Sequence, residues 1–110
     1  MANLSIESQV AELSRDALAA MFENINDKIK ITSLAERLRT DLKAIAGASC
    51  HPGIDRGVDA LQRAALWDNP YSANDAVRSI IRCVTNDEIE RASIKFSRAI
   101  VLEFLEVQNG

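Results

Sequence analysis

Apolar side chains recur along this chain at steps of three and four residues, and that periodicity constrains the fold more than any other feature. The runs are Ile6-Val10-Leu13-Ala17-Met21, Leu34-Leu38-Leu42-Ile45, Ile54-Val58-Leu61-Ala65, Val77-Ile80-Ile81-Val84 and Ile89-Phe96-Ile100-Val107. Such steps gather side chains on one face of a 3.6-residue helix. An amphipathic helix needs a covering surface, so the helices must pack together or be lent to another protein. The expected fold is all-α, a compact bundle of about five helices over approximately 6–26, 33–46, 54–68, 73–84 and 86–107.

Local signals set those boundaries. Asn3 or Ser5 can cap the first helix, and Glu7 complements its positive end. Continuing the first stripe through Ile25 and Ile29 would bring Thr32 and Glu36 into the core, so a break is expected there. Ser33 and Glu36 have the spacing of a capping box, which favours two helices over one continuous helix from Ile6 to Ala46. Gly47 suits the second helix end, and the third starts at Pro52 or with Asp55 as cap. Asp68-Asn69-Pro70 stops the third helix, because proline disfavours helical geometry at the residue before it. Ser72 with Asp75, and Thr85 with Glu88, read as caps for the fourth and fifth helices.

At 110 residues, the chain reads as a single helical domain, 1–110. Its 47% hydrophobic and 26% charged residues are those of a globular protein, with a net charge of −3 spread along the chain. The electrostatic footprint of a nucleic-acid binder is missing, so such a partner is disfavoured. Apolar stretches such as Ala99-Ile100-Val101-Leu102 fall far short of the roughly 20 residues that span a bilayer. Nothing before Glu7 resembles a secretory signal, so the expectation is a cytoplasmic protein with Cys50 and Cys83 as free thiols and no membrane association.

Catalytic and metal-binding patterns are weak throughout. Cys50-His51 sets a nucleophile beside a base, but neighbours in a loop rarely face each other as thiol catalysis requires. Cys50, His51 and Cys83 are too few, and too poorly spaced, for a structural zinc site, and Asp87, Glu88 and Glu90 are better explained by the helix dipole. Asp55 with Asp59, and Glu12 with Asp16, are four apart, as carboxylates on solvated helix faces often are. Glycines at 47, 53, 57 and 110 form no phosphate-binding loop. No catalytic residue, cofactor or metal is expected, and the reading is non-enzymatic.

Trp67 and Tyr71 flank the turn after the third helix. The plain reading makes Trp67 a lid on the core and Tyr71 a staple. The functional reading makes them hot-spot residues, because each joins an apolar body to a polar tip. Between Ala99 and Val107 the last helix is apolar on more than one face, which adds Val101 and Leu105 to the candidate partner interface. The expected function is a small protein–protein interaction module, such as an adaptor, an inhibitor, an immunity-type factor or a mobile-element accessory protein. Its partner is unspecified, and a homodimer through the first and fifth helices is part of the expectation.

The alternative is a helical DNA-binding regulator using Arg78, Arg82, Arg91, Lys95 and Arg98. Ser33-Leu34-Ala35-Glu36-Arg37-Leu38 reads like the opening of a helix-turn-helix, but Arg39 stands where the turn glycine is usual and the helical period continues to Ile45.

Overall fold

The structure, a computed structural model, describes residues 5–86, and these form an all-helical bundle without strands. Helix α1 spans Ile6–Glu23, α2 Lys28–Ile45 and α3 His51–Leu66, with a single 3₁₀ turn at Ala48–Cys50 leading into α3. A fourth helix, α4, occupies 70–86. The Ile89–Val107 run expected to form a fifth helix lies outside the described residues.

Ser5 caps α1, its hydroxyl accepting from the Ser8 N–H at 3.1 Å. The chain leaves α1 through Asn24, whose backbone N–H reaches the Ala20 and Met21 carbonyls and whose side-chain amide donates to the Ala20 oxygen at 2.8 Å. This accounts for the break that the apolar phase anticipates.

The restart differs from the expectation. Asp27 caps α2, accepting from the Lys30 N–H at 3.0 Å, so the helix begins about one turn before Ser33. Ser33 and Glu36 stand exposed inside the helix, and their capping-box spacing goes unused. The earlier start draws Ile31 into the core, and the buried stripe of α2 is Ile31, Ala35, Leu38 and Leu42. Leu34 and Ile45, expected on that stripe, lie at its margins, half-buried. Fully burying a side chain such as Ile31 contributes about 1.5–3 kcal/mol, comparable with or larger than the usual value of a cap.

Helix α3 starts upstream of 54, following the 3₁₀ turn, with Pro52 in its first turn, where a missing N–H costs nothing. Ile54, Val58, Leu61 and Ala65 are all buried against α1 and α2, as their spacing predicts. Gly57 and Ala64 form a second buried strip on α3. Helix α4 lies close along this side, burying Ala73, Ala76, Val77, Ile80 and Val84. A Cβ on Gly57 would come within 2.4 Å of Ile80 Cγ1, so the glycine sets how near the helices approach.

Two further boundaries shift. Asn69, not Ser72, caps α4: its side chain accepts from the Ser72 N–H at 3.1 Å, and Pro70 occupies the first helical position. The helix does not stop at Val84, because residues 85 and 86 are helical and the Thr85 hydroxyl donates back to the Ile81 carbonyl at 2.9 Å. Thr85 is therefore not an N-cap.

The buried apolar residues make one cluster drawn from all four described helices. Ser14 on α1 is the polar residue buried within it, and its hydroxyl has no hydrogen-bond partner among the described residues. An unsatisfied buried hydroxyl costs about 1–3 kcal/mol. Ser14→Ala is therefore expected to raise the unfolding free energy by about 1 kcal/mol in urea titration. Leu42→Ala, which empties a filled site, should lower it by about 2–5 kcal/mol.

Candidate functional site

The turn between α3 and α4 is specified atom by atom. Asp68 takes the left-handed conformation at φ 51°, unusual for a residue with a Cβ. Its N–H donates to the Ala65 carbonyl at 3.1 Å, and the Asn69 N–H to the Ala64 carbonyl at 2.8 Å. This pair of bonds is the Schellman closure of a helix. Asn69 then caps α4 at once, so one helix ends and the next begins with most of the local backbone groups paired.

That turn holds Trp67 and Tyr71 outward. Trp67 is 82% exposed and Tyr71 83%, with Leu66 beside them partly uncovered. Neither aromatic covers the core. Trp67 also walls an open groove of 430 Å³ with Ala60, Arg63, Ala64, Asn69 and Ser72. The lining combines the small side chains of Ala60 and Ala64 with the polar Arg63, Asn69 and Ser72, so an inserted side chain would find both apolar contact and hydrogen-bond partners.

Ile29, 84% exposed at the start of α2, is a separate apolar projection that sequence reading did not single out. The phase break at Ile25 and Ile29 was its only signal. A second groove, of 260 Å³, runs between α1 and α2 over Leu13, Ala17, Leu34 and Leu38, edged by Asp16, Arg37 and Asp41.

A charged seam joins α2 to α3. Arg39, half-buried, meets Glu36 at 2.6 Å and donates to Asp59 through Nη2. Its Nε lies 3.1 Å from Asp55, off line for a hydrogen bond, and the Lys43 ammonium reaches the same Asp55 oxygen at 2.8 Å. Asp55 and Asp59, one helical turn apart, thus face the guanidinium together. The hydrogen bond from Lys43 holds the Asp55 carboxyl below its ordinary pKa; partial desolvation opposes this, and the charges of Lys43, Arg39 and His51 reinforce it. The seam bridges α2 and α3. Sequence reading found the aspartate pair but not its partner, because Arg39 is remote in sequence.

Cys50 and His51 are turned to different tasks. The Cys50 thiol is buried and points to the Cys83 carbonyl at 3.7 Å, while His51 Nε2 donates to the Lys43 carbonyl at 3.2 Å near the end of α2. Among the described residues, no group of three or more His, Cys, Asp or Glu side chains is placed to hold a metal, and no helix is long and apolar enough to cross a membrane.

Of the basic residues in the alternative reading, Arg78 and Arg82 lie on α4, and Arg78 stands exposed 4.0 Å from Asp75. Arg91, Lys95, Arg98, Val101 and Leu105 lie outside the described residues. Helix α2 runs unbroken through Arg39, so Ser33–Leu38 does not open a helix-turn-helix at that position.

No family model matches the chain, and neither the curated proteins nor the solved structures include a match to it.

The turn and the seam each generate a test. Asp68→Gly relieves the left-handed strain and should raise stability by about 0.5–1 kcal/mol, whereas Asn69→Ala removes a cap and should lower it by about 1 kcal/mol; thermal melts read both. Asp55 is depressed in the folded state, so its contribution is complete above about pH 4 and is lost as pH falls through the folded-state value. In Lys43→Met, the Asp55 carboxyl, followed by carbon NMR, should titrate closer to the ordinary aspartate range. Part of the acid-side loss of stability should disappear with it.

Proposed function

We propose that this chain is a non-enzymatic protein–protein interaction module that presents the α3–α4 turn to a protein partner. The observation that supports this most is the solvent exposure of Trp67 and Tyr71 on a turn whose backbone is closed by paired hydrogen bonds. Exposed large aromatics forgo the stabilisation that burial would give, and they are the residue types that dominate binding energy in interfaces. A fixed turn adds to this, since a surface already held in shape loses little freedom on binding. The adjoining groove gives the partner a place to insert a side chain, with Arg63 and Asn69 available for polar contacts.

An adaptor or an inhibitor fits this description. The α1–α2 groove, with both charge signs on its rim, is the surface through which a second copy would pair by way of the first helix. Light scattering on the purified chain separates self-association from capture of a different protein.

The test is affinity capture from the native host with the wild-type chain and with Trp67→Ala and Tyr71→Ala. Each substitution should weaken the captured partner by roughly thirtyfold or more, as loss of a hot-spot aromatic does. Far-UV circular dichroism should be unchanged, because both rings lie outside the core. A partner held equally well by the double variant would overturn the proposal. So would retention on DNA with steep salt dependence and no protein partner.

A further inference from the structure

Cys50 ends the 3₁₀ turn before α3, and Cys83 lies on α4, thirty-three positions further along the chain. The fold brings them face to face. Cys50 Sγ lies 3.7 Å from the Cys83 carbonyl oxygen, and Cys83 Sγ lies 3.9 Å from the Cys50 carbonyl oxygen. Each sulfur rests against the other residue's backbone, and no disulfide joins them. Gly53 makes the approach feasible, since a Cβ there would come within 2.5 Å of the Cys83 sulfur.

The thiols differ in access. Cys50 is buried, whereas Cys83 is half-buried and opens onto a groove of 320 Å³ lined also by Gly53, Arg56, Gly57, Ala60 and Ser79. One thiol is reachable by a small reagent and the other waits behind it. This is the arrangement of an attacked cysteine and its resolving neighbour.

We propose that Cys50 and Cys83 form a reversible intramolecular disulfide, a redox clamp across the open end of the α3–α4 hairpin, with low-molecular-weight disulfides as the oxidant. The Cys83 thiol gives its proton to solvent, and the thiolate attacks one sulfur of the small disulfide, forming a mixed disulfide and expelling the first small thiolate. Cys50 then gives its proton to solvent and attacks the Cys83 sulfur, expelling the second. Two protein thiols and one small disulfide become one protein disulfide and two small thiols, and the electron pair passes to the small molecule. The closed loop contains α3 and the Trp67–Tyr71 turn, so oxidation would join the two ends of that hairpin at its base. The chemistry itself does not depend on what the turn binds.

The experiment uses the full chain, folded, with oxidised glutathione as the probe, followed by intact mass and non-reducing peptide mapping. The expected result is loss of the mass of two hydrogens, a single peptide pair joining Cys50 to Cys83, and an upward shift of the melting temperature that dithiothreitol reverses. Cys50→Ala should instead stall as a stable glutathione adduct on Cys83, because the resolving thiol is gone. A wild-type chain that accumulates glutathione adducts or intermolecular dimers without the internal link would overturn the proposal. So would a chain whose thiols stay unmodified until it is unfolded. The wild-type mass decides between these outcomes even where the variant folds poorly.

Discussion

Helix α3 is covered on two sides, and the described bundle depends on that. One face sends Ile54, Val58, Leu61 and Ala65 into the core shared with α1 and α2. Another, reduced to Gly53, Gly57 and Ala64, receives α4 with Cys83 and Ile80 seated over the glycines. Small residues let the helices approach closely, and close approach is what buries Ala73 and Ala76, side chains too short to reach across a wider gap. Larger side chains at 53 or 57 would push α4 away and open that part of the core.

The same arrangement determines which groups are left for other molecules. The α2–α3 seam is closed by Arg39 and Lys43 among Glu36, Asp55 and Asp59, so charges that look available in sequence are occupied within the chain. Ion pairs this exposed contribute little each, about 0–1 kcal/mol. The aromatic side chains at the opposite end of α3 stand in solvent instead. The contrast between an internally satisfied charged seam and a bare aromatic turn is the physical basis for reading the latter as a docking surface.

Among the described residues the apolar period predicted helices where helices stand, and the α3 stripe is buried residue for residue. Caps were less legible. Ser33 with Glu36 and Thr85 with Glu88 both had a capping spacing, yet Asp27 starts α2 and Thr85 sits within a continuing helix. A capping motif is worth about 1 kcal/mol, and burial of Ile31 in the shared core competes with it on equal or better terms. Ser14 shows the opposite limit. Its position two residues short of Asp16 gives no hint of burial, and only the packing of α1 places its hydroxyl inside.

The chain by itself determined the helical class, the break before α2, the stop at Asp68-Asn69-Pro70 and the core face of α3. These follow from covalent geometry and from spacing within one helix, which neighbouring residues carry locally. Only the tertiary structure decided that Arg39 would stand between Asp55 and Asp59, that Cys50 would meet Cys83, and that Trp67 and Tyr71 would face outward rather than cover the core. Each of these depends on how separate helices cross and how closely they approach. That is set by the summed packing of many side chains, and no single segment encodes it.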